Sequence, residues 1–124
     1  MKKKVFISFD YDHDLSQKNL LVGQSKNEDS PFEISDVSIK QEETDWIEKA
    51  RRKIRNADVV IILCGLYTSS ANGVNKELEL AREVGTKYYY LNAYNSSFAK
   101  KPKSAYSFEV IHEWTWNNLK NLLR

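Results

Sequence analysis

The stretch Val59-Val60-Ile61-Ile62-Leu63-Cys64, followed by Gly65, decides the fold of this sequence. A short run that is apolar throughout and ends at glycine is typical of a central parallel strand, because helices cover both faces of such a strand. The run is far too short to cross a bilayer, which takes about 20 apolar residues. The sequence therefore predicts an α/β sheet built around this strand.

Segments with strand-like and helix-like patterns alternate on both sides of this run. Clusters of β-branched and aromatic residues predict four further strands, at Val5–Phe9, Phe32–Val37, Lys87–Leu91 and Tyr106–Val110. Apolar residues at helical spacing predict helices at Asp12–Val22, Asp45–Asn56, Asn72–Val84 and Ile111–Leu123. Residues 23–31 and 94–105 are expected to form loops.

Two helix ends carry specific signals. Asp45 and Glu48 have capping-box spacing at the start of the second helix. Gly85 stands at the usual C-terminal position of the third helix.

Repeated strand–helix alternation predicts a three-layer flavodoxin-like fold, with a five-stranded parallel sheet of order 2-1-3-4-5 and helices on both faces. In this order ligands bind at the carboxyl ends of strands one and three. The candidate site therefore comprises residues 8–14, residues 64–72 and the loop after strand two. With 124 residues, the chain (1–124) is expected to form one domain.

Composition excludes several classes of protein. Hydrophobic residues make up 41% and charged residues 29%, which are values typical of globular domains. One cysteine and two distant histidines predict neither a disulfide nor a metal site. A net charge of +2 argues against a nucleic-acid partner. The polar residues that begin at Ser8 leave no signal-peptide core, so we expect a cytoplasmic domain with no membrane partner.

The residues at the predicted edge exclude common phosphate chemistries. The four glycines are isolated, so the sequence has neither Gly-x-Gly-x-x-Gly nor a Walker loop. The acidic loop Asp10-Tyr11-Asp12-His13-Asp14 resembles the metal-binding corner of response-regulator receivers. A receiver also needs an aspartate at the end of strand three, where this chain has Cys64-Gly65. We expect Cys64 to be a core thiol and His13 to be a solvated loop residue.

Glu77 is the most informative residue of the third predicted helix. With Leu78 at zero and a step of about 100° per residue, Val74 falls near −40° and Val84 near −120°. Glu77 falls near −100°, inside this apolar stripe, whereas Glu79 falls on the opposite face. A carboxylate on a core-facing stripe is costly unless it is partnered or functional. The alternative interpretation is that Glu77 extends to solvent or pairs with a nearby lysine.

These segments also resemble a known family. Val5–Phe9 and the acidic loop resemble the first box of TIR domains, and Leu63–Ser70 followed by Val74–Leu78 resembles their strand–loop–helix pattern ending in Trp-Cys-x-x-Glu-Leu. Gly73-Val74 stands where that pattern has Trp-Cys.

The closer resemblance, over roughly residues 3–93, is to the TIR-like domain of Thoeris ThsB proteins. Three segments carry this resemblance: Phe9–Asp14, Asn19–Asn27 and Asp58–Ile61. The most specific is Asn19–Asn27 (Asn-Leu-Leu-Val-Gly-Gln-Ser-Lys-Asn), because neither amphipathicity nor turn chemistry requires this sequence.

The resemblance implies an NAD+-cleaving enzyme. Catalytic TIR domains release nicotinamide from NAD+ and form ADP-ribose or a cyclised isomer, and ThsB-like proteins make a cyclic ADP-ribose signal for a separate effector in antiphage defence. NAD+ is then a substrate, with no permanently bound cofactor, and self-association through TIR-like surfaces is expected. The family's catalytic glutamate corresponds to Glu77. The residues expected to line the pocket are Phe9, Asp10, Tyr11, Tyr67 and Ser69.

Two other interpretations stay open at this stage. The chain could be a non-catalytic TIR-like module that signals through protein–protein contacts or binds a nucleotide without turnover. A weaker alternative is a degenerate receiver-like regulator. Glu77 distinguishes the NAD+-cleaving enzyme from the non-catalytic module, because a scaffold has no need for a carboxylate on an apolar stripe.

Overall fold

The computed structural model describes residues 2–40 and 44–124. Five parallel strands form one sheet of order β2-β1-β3-β4-β5, which confirms the predicted flavodoxin-like fold. The strands are β1 (Lys3–Ser8), β2 (Phe32–Val37), β3 (Val59–Cys64), β4 (Lys87–Asn92) and β5 (Ile111–Glu113). The helices are α1 (Leu15–Ser25), α2 (Trp46–Asn56), α3 (Asn72–Val84) and α4 (Trp116–Leu122).

Strand β3 lies at the centre of the sheet, and all six of its residues are buried. Its side chains alternate between two cores. Val60, Ile62 and Cys64 belong to the core that packs against α2 and α3. Val59, Ile61 and Leu63 belong to the core on the opposite face, with residues of α1 and α4. Because each buried aliphatic side chain contributes about 1.5–3 kcal/mol, this unbroken apolar run anchors both layers.

Helix α3 has the bounds that its pattern predicts. Gly85 ends it in the left-handed region at φ 80°. Glycine takes this conformation without a Cβ clash, so the predicted C-terminal signal is confirmed.

The other helix boundaries differ from the predictions. Asp45 has a left-handed backbone at φ 60° and makes no side-chain cap, so the predicted capping box is wrong. Helix α1 begins at Leu15 rather than at Asp12, because residues 10–14 form a tight turn in which the Asp10 carbonyl accepts the amide of Asp14. The same helix continues to Ser25, into the expected loop 23–31.

The predicted fifth strand, Tyr106–Val110, is wrong. Its alternating apolar side chains lie in an exposed loop, and β5 follows directly after it. The Lys101 ammonium donates hydrogen bonds to three backbone carbonyls of this loop, at Tyr106, Ser107 and Glu109. These bonds hold the backbone in a turn, so alternation alone was a misleading signal.

The predicted closing helix, Ile111–Leu123, is correspondingly shorter. Its first residues form β5, and α4 begins only at Trp116. The Thr115 hydroxyl accepts the amide of Asn118, which caps the helix at this point.

The two edges of the sheet are irregular. Strand β5 has three residues. At the other edge, the register of β2 against β1 shifts between Val5 and Phe6. No helix in the described ranges 2–40 and 44–124 is long and apolar enough to span a membrane.

Candidate functional site

A cavity of about 640 Å³ opens at the carboxyl edge of β1 and β3, where the strand order places a ligand site. The loops after β1, β2 and β3 and the N-terminal parts of α1 and α3 form its described walls. The loop after β1 contributes residues 9–13, the loop after β2 contributes residues 38–40, and residues 70–74 lead into α3. Leu15 and Glu77 complete the described lining.

Glu77 lies on the inner wall of this cavity and is 0% exposed. Its Oε1 atom accepts hydrogen bonds from the hydroxyls of Ser8 at 2.7 Å and Ser38 at 2.6 Å. Its Oε2 atom has no hydrogen-bond partner within the described residues. The prediction that Glu77 lies on the buried side of α3 is therefore confirmed, and the alternative that its side chain extends to solvent is excluded.

Ser38 joins Glu77 to the first loop. Its hydroxyl donates to Glu77 and accepts the amide of Phe9 at 2.9 Å, while its carbonyl accepts the hydroxyl of Tyr11 at 2.7 Å. Its own amide bonds to the carbonyl of Ile7 at 2.8 Å. The predicted edge included Ser8 and the loop after strand two, which begins at Ser38. No role was assigned to either serine, since a serine at the end of a strand is ordinary composition.

Burial sets the protonation of Glu77. Loss of solvent raises the pKa of its carboxyl to about 7, although hydrogen bonds from Ser38, Ser8 and, more weakly, the backbone of Ile39 favour the charged form. The group therefore changes charge near neutral pH. Perturbed carboxyls of this kind are enriched at functional sites.

A second cluster lies at the rim of the cavity. His13 places Nδ1 2.8 Å from Oδ2 of Asp10 and stacks on the ring of Tyr67, with centroids 4.1 Å apart. The side chain of His13 is 44% exposed, as a solvated loop residue should be, but its ring is fixed rather than free. This cluster was not predicted, because it depends on two loops that meet only in the fold.

The predicted pocket residues divide into two groups. Phe9, Asp10 and Tyr11 line the cavity. Tyr67 and Ser69 lie outside its described lining. Tyr67 stands behind His13. The short 3₁₀ turn Thr68–Ser70 directs the carbonyl of Ser69 towards Asn75, whose side-chain amide donates to it, and the next residue, Ser70, takes the lining position.

Asp14 is a further buried carboxylate at the same edge, and sequence reasoning did not single it out. It is 2% exposed, and its Oδ1 atom accepts the hydroxyl of Tyr94 at 2.8 Å. Its Oδ2 atom has no partner in the described part of the chain. Burial raises the pKa of this carboxyl, and the Tyr94 hydrogen bond opposes the rise.

Cys64 is a core thiol, as expected. It is fully buried, and burial followed by the nearby Asp14 charge raises the pKa of its thiol well above the usual range. A protonated, inaccessible thiol is a poor nucleophile, so Cys64 takes no part in the candidate site.

The parallel sheet and the buried glutamate on the helix after its central strand are the features expected of a TIR-like α/β domain. Comparison of the sequence with family models agrees with this class. The chain belongs to the family of Thoeris protein ThsB, TIR-like domain, whose model matches residues 6–94. That match contains every described residue of the cavity lining. Among curated proteins, no match to the chain is found.

Proposed function

We propose that this domain cleaves the bond between nicotinamide and ribose in NAD+, as the resemblance to catalytic TIR domains implies. The observation that carries the proposal is the carboxylate of Glu77, which is fully buried, lines the cavity and keeps one oxygen unpaired within the described residues. Burying such a group without a full set of partners costs free energy, and a role in binding or catalysis explains why the cost is tolerated.

The chemistry suits a single carboxylate. When the C1′–N bond of NAD+ breaks, its electron pair moves to the ring nitrogen, and the cationic nicotinamide leaves as a neutral molecule without a general acid. Positive charge develops on the ribose, which a carboxylate stabilises as it does in glycoside cleavage. Capture by water gives ADP-ribose and releases one proton. Capture by an adenine ring nitrogen gives a cyclised isomer, transfers the positive charge to the base, and releases one proton when the exocyclic amino group of adenine deprotonates.

The serine hydrogen bonds give Glu77 a defined geometry for this role. Ser8 and Ser38 both donate to Oε1, so the carboxylate is oriented from two sides. Oε2 has no hydrogen-bond partner within the described residues, and we assign it to the ribose hydroxyls or to the charge on C1′. Preoriented charge of this kind lowers the barrier, because the site does not reorganise during the reaction.

The biological role that we propose follows from the family. The domain would make a nucleotide signal, such as cyclic ADP-ribose, in antiphage defence, and this diffusible product would reach a separate effector protein. Self-association through TIR-like surfaces would complete or activate the site.

The test is incubation with NAD+ and chromatography of the products. Glu77→Gln keeps the shape of the side chain and removes its charge, so we expect turnover to fall about 100- to 1,000-fold. Glu79→Gln is the matched control, because Glu79 is exposed on the opposite side of the same helix, and turnover should be unchanged. Full turnover by Glu77→Gln would exclude the catalytic role. No turnover by the unmodified protein, even when concentrated, would favour a non-catalytic signalling module.

A further inference from the structure

Two aromatic pairs lie at different depths along the candidate cavity. The inner pair is Phe9 and Tyr11, with ring centroids 4.4 Å apart. Both residues bond to Ser38, which itself donates to Glu77, so the inner pair is adjacent to the carboxylate. The outer pair is His13 and Tyr67.

The outer pair lies at the rim. The side chain of His13 is 44% exposed and Tyr67 is 53% exposed. His13 lines the cavity while Tyr67 covers one face of its ring, at 4.1 Å between centroids and 26° between planes. Tyr67 leaves the other face of the imidazole uncovered, in a residue that lines the cavity.

The ring of His13 is held before any ligand arrives. Its Nδ1 atom lies 2.8 Å from Oδ2 of Asp10, and its backbone amide donates to the Asp10 carbonyl at 3.3 Å. The second carboxylate oxygen of Asp10 accepts the amide of Asp12 at 3.0 Å, which fixes Asp10 in turn. An aromatic ring that is already immobilised loses little conformational entropy when a flat ligand stacks on it.

We propose that His13, supported by Asp10 and Tyr67, is the stacking platform for the adenine base of the dinucleotide substrate. The inference rests on the proposed NAD+ cleavage, which requires the nicotinamide riboside to lie beside Glu77. NAD+ carries a second aromatic base, separated from the first by two riboses and a diphosphate. The cavity, at about 640 Å³, has the size of a typical small-molecule site, and His13 is the exposed aromatic residue of its described lining. Stacking of a base on an aromatic side chain is worth about 1–3 kcal/mol.

The platform is tested by comparing two substrates, NAD+ and nicotinamide mononucleotide, which lacks the adenosine half. His13→Ala should raise KM for NAD+ about 10-fold, while kcat/KM for the mononucleotide stays within about 2-fold of the unmodified value. His13→Phe keeps a flat ring and should retain most of the NAD+ affinity. His112→Ala is the matched control: His112 also contacts a tyrosine ring, that of Tyr89, but it lies on β5 and should leave both substrates unaffected.

A second readout does not depend on turnover. Calorimetric titration of Glu77→Gln protein with ADP measures binding of the adenine half alone, and adding His13→Ala should weaken this binding about 10-fold. Equal losses of kcat/KM for NAD+ and for nicotinamide mononucleotide in His13→Ala would overturn the platform, because His13 would then act at the cleaved bond. Unchanged or undetectable ADP binding would overturn it as well. Failure of the unmodified protein to cleave either substrate would instead count against NAD+ cleavage, and the ADP titration would still decide the role of His13.

Discussion

Glu77 and Asp14 are two buried carboxylates at the same edge of the sheet, and their surroundings differ. Both are almost inaccessible to solvent, and both leave one oxygen unpaired within the described residues. Glu77 lines the cavity and is oriented by two serine hydroxyls. Asp14 lies outside the described lining, beside Gly65 and Tyr94. Burial alone therefore raises a carboxyl pKa, whereas only access to a cavity makes the group available for chemistry.

Asp14 instead connects three loops. Its amide donates to the carbonyl of Asp10 in the first loop, and its carboxylate accepts the hydroxyl of Tyr94 from the loop after β4. The third contact is with Gly65, immediately after β3, where a Cβ atom would lie only 2.8 Å from Oδ1 of Asp14. We interpret Asp14 as a structural residue that holds the loop carrying the rim cluster.

The largest contrast between the two carboxylates should appear in the pH dependence of activity. Glu77 must be ionised to stabilise a developing cation, and its pKa lies near 7, so kcat/KM for NAD+ should rise about 10-fold per pH unit below that value and level off above it. Asp14→Asn should leave the midpoint of this profile unchanged, because Asp14 lies outside the described cavity lining. A midpoint that moves with Asp14 would contradict the division of roles, as would a profile that is flat between pH 5 and 8.

The packing around Asp14 predicts a strong effect on stability. In Gly65→Ala the new Cβ would meet the Asp14 carboxylate at 2.8 Å and the Tyr94 ring at 3.1 Å, so we expect a loss of about 2 kcal/mol in the free energy of unfolding. Gly23→Ala is the control, because a Cβ at this position in α1 meets nothing within 4 Å, and it should stabilise the protein by about 0.5–1 kcal/mol. Urea denaturation measures both changes. Equal stability of the two variants would show that Asp14 is not tightly enclosed.

The smallest expected effect concerns how far the buried charge of Glu77 lowers the free energy of unfolding. Its pKa is raised in the fold from 4.5 to about 7, so the folded state binds a proton more tightly than the unfolded chain. This group therefore lowers stability progressively between pH 4.5 and 7, and the full cost persists above pH 7. The rise in the pKa of Glu77 from 4.5 to about 7 corresponds to about 3 kcal/mol at pH 8. The buried amide group of the new side chain offsets about 2 kcal/mol of this, so Glu77→Gln should stabilise the protein by about 1 kcal/mol at pH 8 and should not stabilise it at pH 5.

Asp14→Asn gives the comparison for this last experiment. The pKa of Asp14 is also raised by burial, but Asp14 keeps 2% of its surface exposed whereas Glu77 keeps none, so burial costs its charged form less. Its stabilisation at pH 8 should therefore be smaller than that of Glu77→Gln. A variant of Glu77 that is less stable than the unmodified protein at pH 8 would show that the charge is compensated in the fold.

Local pattern was sufficient for the central features of this molecule. The apolar run of β3 and the helical spacing in α3 depend on neighbours a few residues apart, so strand order, the bounds of α3 and the burial of Glu77 were all predicted. Tyr106–Val110 shows the limit, since its alternation is local but its conformation is set by the Lys101 ammonium.

The partners of Glu77 were beyond the reach of such reasoning. Ser38 and Ser8 stand 39 and 69 positions away from it in the sequence, and only the folded sheet edge brings them together. Ser70 takes the lining position next to the predicted Ser69, because the 3₁₀ turn Thr68–Ser70 directs the carbonyl of Ser69 towards Asn75.

The irregular sheet edges have a consequence for how copies of this domain can meet. An exposed strand edge is a template on which another chain can add a strand. Here β5 offers a ladder of three residues, and at the opposite edge the register of β2 against β1 is broken between Val5 and Phe6. Strand addition would gain few hydrogen bonds at either edge, so fibre-like stacking through the sheet is disfavoured. The proposed self-association is therefore expected to use helix and loop surfaces, including those that surround the mouth of the cavity.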